Sequence, residues 1–371
     1  MTPASDLDRL SRALGRLLGR DAAALHESFV AATVADLPGL LRLRASVLGP
    51  EMTWDDEAFL RWRYFGAGGP GAPANVLWVL HDNAGQPQSC LGVEPQALHV
   101  GTDMVAAGRF MDVMVEPKIK SLGVGAWMNL VLQQKHEVSL AVGATKDSYN
   151  LIRRVFSPLP DRHSWKLLVR SEDFLKRNTP RLARIPGVSV LADAALGVGR
   201  YALARGYGLG LEVAPLSNLN GLETAVAELD QSMAAVGWTF SQRTAAYLSW
   251  RYLRNTRRHY QLWGAHRQGR LVGLLVTRMV AGRGELVDWL WDARAAEPGR
   301  SQIITALFAR AAEDLARQGA TTVWTRTLGA PGEEAAVRLV MRRRKERDTV
   351  AINTSSPGRL AALTSARWFL S

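Results

Sequence analysis

The chain carries an internal repeat, and this restricts the folds that are open to it. The motif LRWRY at residues 60–64 returns as LSWRY at residues 248–252, and further matches follow both motifs in the same order. These matches pair Trp78 with Trp263, Gly92 with Gly273 and Asp112 with Asp288. Self-similarity over such a distance is the signature of a duplicated structural unit. We therefore expect two copies of one domain.

Each copy presents the same succession of helical and extended patterns. An amphipathic stretch and the WRY motif come first, and apolar strands follow, among them NVLWVLH, RFMDVMV, YQLWGAH and ELVDWLW. A longer amphipathic helix, a final strand and another helix (SYNLIRRVF or EEAAVRLVMRRR) complete each copy. Strands that lead into helices predict an α/β (α+β) fold, with a central mixed sheet flanked by helices in each copy.

The pattern also predicts the domain boundaries. We expect an N-terminal amphipathic helix over 1–30, a first domain over 31–177, a connector over 178–212 and a second domain over 213–371. The connector is rich in Pro and Gly and has no clear period. Asp193, Arg200 and Arg205 interrupt its apolar middle, which favours packing across the domains over entry into a bilayer. For the N-terminal helix we favour docking on the protein's own core, with attachment to a membrane surface as the alternative.

Composition excludes several classes of protein. The 371 residues are 47% apolar and 22% charged, which is ordinary for a globular chain. The single cysteine, Cys90, excludes an intramolecular disulfide and a multi-cysteine metal cluster, and it is typical of a reducing cytoplasm. No stretch reaches the roughly 20 apolar residues of a membrane span, and the histidines lack metal-ligand spacing. We expect a cytoplasmic protein with no transmembrane segment and no metal.

The net charge of +12 favours acidic ligands such as coenzyme A. The densest basic run comprises Arg342, Arg343, Arg344, Lys345 and Arg347. We interpret it as the solvated end of the last predicted helix. Binding to a nucleic-acid backbone is the alternative.

One segment carries a chemical signal, and it spans residues 113–126 (VMVEPKIKSLGVGA). A strand ends near Val115, Pro117 stops the ladder, and the chain then enters an amphipathic helix. The free N–H groups and the dipole of a helix N-terminus attract anions. Gly123 and Gly125 would let a phosphate approach the backbone, and Lys120 adds positive charge. The segment matches neither a Walker loop nor a dinucleotide fingerprint.

The same segment resembles the pyrophosphate-binding motif of the GNAT (Gcn5-related N-acetyltransferase) superfamily. Its residues here are Val115, Pro117, Lys120, Gly123 and Gly125, and the order of flanking strands and helices agrees over both copies. The resemblance implies acetyl-CoA or another acyl-CoA as co-substrate, held where one strand splays from its neighbour. The implied cofactor-binding residues are Met114, Val115, Lys120, Ser121, Leu122, Gly123, Val124, Gly125, Ala126 and Asn150.

Catalytic candidates follow from the same resemblance. Asp112 lies near the position of a family base, although Asp288 matches it in the other copy, so a structural role is equally open. Glu116 is an alternative base, as are Glu94 and His99. Many members have a general-acid tyrosine five residues before the Phe that closes this helix. Counting back from Phe156 gives Leu151 at that position. Tyr149, two positions away, is the candidate for the general acid, although it lies on a different side of the helix.

The second copy departs from the motif. Its loop reads WDARAAEPGRSQ, which lacks the basic residue and paired glycines in their spacing. We infer that this copy has lost coenzyme binding and serves as a scaffold or substrate platform. The repeated WRY motif favours a packing role over stacking on a ligand, and Cys90 in SCLGV is expected in the core.

Three functions remain open from the sequence. The first is an acyltransferase that moves an acetyl or short acyl group to an amine, or to a hydroxyl, of a small metabolite or amino sugar. The second is an aminoacyl transferase of the Fem type that uses aminoacyl-tRNA and would bind RNA in a salt-dependent manner. The third is a non-enzymatic binding protein.

Overall fold

The computed structural model describes residues 3–49, 57–66, 74–143, 146–295 and 299–370. The chain divides into two compact units. The first unit contains Met1–Leu98, Met104–Pro160 and Thr349–Ser365, and the second contains His99–Asp103, Asp161–Asp348 and Ala366–Ser371.

Groups of one to three helices alternate with groups of one to three strands along the chain. The helices are α1 Pro3–Leu17, α2 Ala22–Glu27, α3 Leu37–Leu48, α4 Glu57–Tyr64, α5 Val124–Gln133, α6 Lys146–Val155, α7 Glu172–Asn178, α8 Pro180–Ala183, α9 Val188–Tyr207, α10 Glu223–Ala235, α11 Ala245–Leu248, α12 Gly299–Arg317, α13 Ala330–Arg338 and α14 Pro357–Ser365. The strands are β1 Phe29–Ala31, β2 Val76–His81, β3 Pro87–Val100, β4 Asp103–Val115, β5 Val138–Val142, β6 Ser157–Pro158, β7 Arg162–Leu168, β8 Glu212–Leu216, β9 Trp238–Ser241, β10 Tyr260–Arg267, β11 Arg270–Val280, β12 Arg283–Trp291, β13 Thr322–Thr327, β14 Arg342–Asp348, β15 Val350–Thr354 and β16 Arg367–Trp368. Short 3-10 turns lie at Val34–Asp36 and Pro117–Leu122, and a π-helical turn at Ser249–Leu253.

The sheet of the first unit contains one parallel pair. Its strand order is β1-β2-β3-β4-β5-β15-β6. β4 and β5 are parallel, and α5 connects them because parallel neighbours need a crossover. The apolar side of α5 supplies Trp127, Met128 and Leu132 to a core that also holds Phe110 and Phe156.

The second unit repeats this arrangement. Its strand order is β14-β7-β13-β12-β11-β10-β8. β12 and β13 are parallel and α12 connects them. α12 buries Ile303, Leu307 and Phe308 in a core with Trp289. The predicted fold class, two mixed sheets flanked by helices, is confirmed.

Two strands belong to a different unit from the domain in which the expected boundaries, 31–177 and 213–371, would place them. β7, within 31–177, pairs with β13 and β14 of the second unit. β15, within 213–371, lies antiparallel between β5 and β6 of the first unit. Most of the second unit is thus inserted between β6 and β15. The pattern of a strand shows that it is extended, but not which sheet it joins.

The structure gives the connector region a conformation and corrects the prediction for the basic run. The expected connector over 178–212 is largely helical, and its longest helix, α9, packs against α12. The helix predicted for EEAAVRLVMRRR ends at Arg338, and the basic run lies on β14 at the edge of its sheet. The side chains of residues 342–346 are exposed. Charges on an edge strand prevent pairing with another chain, which gives the run a structural purpose.

The N-terminal helix docks on the first unit. Leu7 and Leu14 of α1 are buried in the core that contains Trp127, and the Trp127 Nε1 donates a hydrogen bond of 2.9 Å to the Ser11 Oγ. The favoured interpretation of this helix is confirmed. Within the described ranges, no helix combines the length and the apolar character needed to cross a bilayer.

Candidate active site

The pairing between the two parallel strands of the first unit ends before β4 does. Their register pairs run from Ala107–Val138 to Phe110–Ala141, and no described pair joins them farther on. β4 nevertheless continues to Val115, whereas β5 ends at Val142. Backbone groups of β4 near Met114 and Val115 therefore face a gap in the ladder, where an extended ligand can take the place of a strand.

The chain then makes a turn that requires glycine. Pro117 begins the 3-10 turn, and Gly123 follows it with a φ of +90°. A Cβ on Gly123 would meet nothing within 4 Å, so its backbone conformation and not lack of space calls for glycine. Gly125 has the opposite reason, because a Cβ there would lie 3.3 Å from the Leu151 side chain. One glycine shapes the turn and the other lets α5 and α6 pack closely.

The turn presents the N-terminus of α5. The helix begins at Val124, and the first backbone bond across its start joins the Trp127 N–H to the Gly123 carbonyl at 3.0 Å. The N–H groups before Trp127 lie in the first turn of the helix, where no intrahelical acceptor exists. Lys120 and Ser121 are exposed on the preceding turn, while Leu122 and Ala126 are half-buried. This arrangement can bind an anion.

Asp112 lies on β4 with a φ of +51°, which is rare for a residue other than glycine. Its carboxylate accepts a hydrogen bond from the Tyr64 hydroxyl, and the Arg63 Nε lies 3.6 Å away. Tyr64 is buried, and a Cβ at Gly92 would come within 2.2 Å of the Tyr64 hydroxyl oxygen. The WRY motif, the glycine of β3 and the aspartate of β4 therefore form one cluster.

The second unit contains the same pair. The Tyr252 hydroxyl donates a hydrogen bond of 2.9 Å to the Asp288 Oδ2, and the Arg243 Nε lies 3.2 Å from the Asp288 Oδ1. Burial raises the pKa of Tyr64 and of Tyr252 well above the usual range, and the adjacent carboxylates raise both further. Both tyrosines are thus held as neutral donors. The sequence repeats these residues without showing that they touch; their parallel spacing in the two copies is the signal of the contact.

The other catalytic candidates lie apart from this cluster. Glu116 is 30% exposed and its Oε2 lies 3.1 Å from the Lys118 Nζ. Tyr149 is exposed on α6, with the Arg153 guanidinium 5.6 Å from its ring centroid, and Asn150 is also exposed. Leu151 is the residue of α6 that meets Gly125. The side of α6 that faces the turn therefore carries Leu151 at the position where the resemblance implies a general-acid tyrosine.

Glu94, His99 and Cys90 are all buried. The Glu94 Oε1 accepts a hydrogen bond of 2.7 Å from the Gln96 Nε2. The His99 Nε2 lies 2.7 Å from the Asp230 Oδ2, and its ring stacks on Phe240. Cys90 is in the core, as expected.

Solved structures share this architecture at low sequence identity. A Gcn5-related N-acetyltransferase from Kribbella flavida aligns with a TM-score of 0.57 and 14% identity over 87% of this chain and 70% of its own. N-myristoyltransferase from Saccharomyces cerevisiae, with bound myristoyl-CoA, aligns with a TM-score of 0.54 and 10% identity over 88% of this chain and 78% of its own. A tandem GNAT protein from the clavulanic acid biosynthesis pathway aligns with a TM-score of 0.51 and 15% identity over 89% of this chain and 98% of its own. No protein-family model and no curated protein matches the chain.

The chain has a tandem GNAT fold. Both units show the GNAT pattern of a parallel strand pair joined by one helix, and in both the first strand outruns the pairing. In the second unit the register ends at Leu286–Thr325, whereas β12 continues to Trp291.

The second GNAT unit has a different connection at the position of the turn. Asp292 follows β12 and is 8% exposed by side chain, with the Arg270 Nη2 at 2.5 Å and the Arg294 Nε at 3.1 Å. These residues line a cavity of about 430 Å³ together with Arg267 and Ile303. Three arginines surround this one carboxylate, so the charge of the cavity does not itself exclude an anion. What distinguishes the second copy is the sequence of its connection, which lacks the paired glycines of the first, and its loss of coenzyme A binding stays a prediction.

The described residues contain no group of three or more His, Cys, Asp and Glu side chains arranged to hold a metal ion.

Proposed function

We propose that the first unit binds an acyl-CoA and transfers its acetyl or other short acyl group to an amine, or to a hydroxyl, of a small metabolite or amino sugar. The observation that carries the proposal is the stretch of β4 that continues beyond its pairing with β5 and leads into the Gly123 turn and the N-terminus of α5. Structural neighbours named as acyltransferases, one of them with bound myristoyl-CoA, support it. The single buried cysteine agrees with action in the cytoplasm.

The residues of the gap and the turn fit the two parts of coenzyme A. The pantetheine arm carries amide groups, and the backbone of Met114 and Val115 would pair with them as a neighbouring strand does. The pyrophosphate carries negative charge, and the first N–H groups of α5 would receive it. The residues of this second set are Lys120, Ser121, Leu122, Gly123, Val124, Gly125 and Ala126. Asn150 on α6 would contact the arm beyond them.

Bound acyl-CoA supplies an activated thioester. The protein's own contribution is to hold the arm against β4 and to orient the acceptor, which converts a bimolecular encounter into a positioned one. Asp112 already contacts Tyr64 and Arg63, so we assign it a structural role. These contacts hold β4 in the backbone conformation with positive φ at Asp112. Glu116, which is partly exposed at the end of β4, is the candidate that is open to an acceptor proton.

Calorimetric titration with acetyl-CoA tests the proposal. The variant is Gly123→Glu, which places bulk and negative charge where the pyrophosphate would lie. Gly85→Glu is the matched control, because Gly85 also lies in the first unit with a positive φ of 72° and nothing within 4 Å of a Cβ. Both variants place a glutamate at a positive φ with open space around its Cβ, so the main difference is the place of the charge.

We expect micromolar binding by the wild type and by Gly85→Glu, and at least a tenfold loss for Gly123→Glu. A folded wild type that does not bind acetyl-CoA would overturn the proposal, and transfer RNA would be the next ligand to titrate. Equal losses in the two variants would show that strain and not the turn determines binding.

A further inference from the structure

Helix α9 exposes an apolar side, while its charged residues Asp193 and Arg200 turn inward beside the half-buried Leu196 and Leu203. Between Val190 and Ala202 the exposed residues are all uncharged, and most of them are apolar or small. They are Val190, Leu191, Ala194, Ala195, Val198, Gly199, Tyr201 and Ala202. Val190, Leu191 and Val198 are 69%, 73% and 69% exposed. A surface helix of a globular protein normally shows the reverse distribution.

The charges that seemed to interrupt this helix explain its orientation. The Asp193 Oδ1 accepts a hydrogen bond of 2.5 Å from the Ser171 N–H, and the Arg200 Nη1 donates one of 2.9 Å to the Val169 carbonyl. The Ser171 Oγ adds a bond of 3.2 Å to the Ser189 carbonyl. These contacts fix the polar side of α9 against its own unit. Because these contacts hold one side of α9 against its own unit, the opposite, apolar side is exposed.

Neighbouring residues extend the apolar surface and surround it with positive charge. Leu182, Ile185 and Leu209 are 46%, 51% and 70% exposed. Arg181 and Arg184 lie beside the first two and Arg205 lies at the far end of α9, all exposed. Among the described residues none of these three arginines has an ion-pair partner; Arg205 donates only to the Tyr201 hydroxyl, at 2.8 Å.

We propose that α8 and α9 form a peripheral docking surface for an anionic lipid membrane. Apolar side chains would enter the acyl boundary, and arginines at both ends would meet lipid phosphates, which is how interfacial helices bind. A second copy of this chain fits the surface less well, because each copy brings the same arginines and a net charge of +12. The proposal is independent of acyl-CoA binding by the first unit.

Flotation of the full chain with vesicles tests the proposal. One set contains phosphatidylcholine alone and the other contains phosphatidylcholine with phosphatidylglycerol. We expect binding to the second set only, and loss of that binding in the double variant Leu191→Glu, Val198→Glu. Val337→Glu is the matched control, since Val337 is 61% exposed on α13 of the same unit and should bind as the wild type does.

A charge variant tests the arginines separately. Arg181→Ala with Arg184→Ala should lower partitioning onto the anionic vesicles on the order of fivefold for each arginine removed. Raising the salt concentration should have a similar effect. Binding that is equal on both sets of vesicles and insensitive to these changes would overturn the part of the proposal that rests on charge.

A probe that does not depend on charge completes the test. Cys90 is buried, so an environment-sensitive dye on Leu191→Cys would report only α9. We expect its emission to shift to the blue with anionic vesicles, and no shift for Val337→Cys. A folded wild type that binds neither vesicle overturns the proposal. A dimer in light scattering that Leu191→Glu with Val198→Glu dissolves, without vesicle binding, assigns the surface to a second copy instead.

Discussion

At the scale of single residues, the tyrosine–aspartate pair connects α4 to the bend of β4. Tyr64 donates to Asp112, which has a positive φ two residues after the last described pair between β4 and β5. Removing the hydroxyl takes the Tyr64 hydrogen bond from the carboxylate, which is 12% exposed, and leaves it with the longer contact to Arg63. Losing a partner of a buried polar group costs about 1–3 kcal/mol.

We therefore expect Tyr64→Phe to lower the free energy of unfolding by that amount and to raise the Kd for acetyl-CoA by about tenfold. Tyr252→Phe removes the equivalent bond to Asp288 and should destabilise the protein in a similar way, while the Kd stays at the wild-type value. Urea unfolding and calorimetry measure the two effects. Equal changes of Kd in both variants would contradict a specific role of the first pair.

The same cluster determines the chemistry of Cys90. Burial, followed by the charge of Asp112, raises the pKa of the thiol to about 12. A thiol with this pKa is almost entirely protonated at pH 8, so we expect a disulfide reagent to modify the native protein far more slowly than the unfolded chain. Rapid modification of the native state at pH 8 would refute this.

The raised pKa also predicts how stability depends on pH. Between pH 9 and 12 the folded state keeps the Cys90 proton and the unfolded state loses it, so unfolding releases a proton and the free energy of unfolding falls as the pH rises. Below pH 9 both states keep the proton, and this contribution is fully present. Cys90→Ala should flatten part of the decline, as followed by urea unfolding from pH 8 to 10.5.

At the scale of elements, α1 holds α5, the helix that follows the Gly123 turn. Trp127 of α5 is fully buried, and its Nε1 donates to Ser11 of α1. Ser11→Ala leaves that donor without its acceptor and should cost about 1–3 kcal/mol, measured by urea unfolding. Adding Trp127→Phe removes the orphaned donor as well, so the second step should cost less in Ser11→Ala than in the wild type. Additive costs would show that the bond contributes nothing.

Elements also show what a sequence can and cannot predict. The strand ending at Val115, the turn at Gly123 and the helix behind it were predictable, because proline, glycine and apolar spacing act locally. The orientation of α9 was not, since Asp193 and Arg200 show in the sequence only as interruptions of an apolar stretch, and their partners Ser171 and Val169 are known only from the structure. Partners distant in sequence decide which side of a helix is polar.

At the scale of the whole molecule, the duplication was readable but the exchange of strands was not. The repeated WRY motif and aspartate mark two copies, yet RHSWKLL and VAINT carry only the pattern of a strand. Val350 and Ile352 of β15 are fully buried in the first unit, between β5 and β6. The folding unit therefore differs from the repeated unit.

This difference predicts which fragments fold. A fragment of residues 1–177 lacks β15, so β5 loses its neighbour and we expect no cooperative transition in urea. A chain that joins Pro160 to Thr349 through an Asn-Gly turn, and ends at Ser365, restores it; the Leu159 N–H already bonds the Val350 carbonyl at 2.9 Å, and antiparallel neighbours suit a two-residue turn. We expect this chain to unfold cooperatively and to bind acetyl-CoA. Cooperative unfolding of the 1–177 fragment would show that the first unit does not need β15.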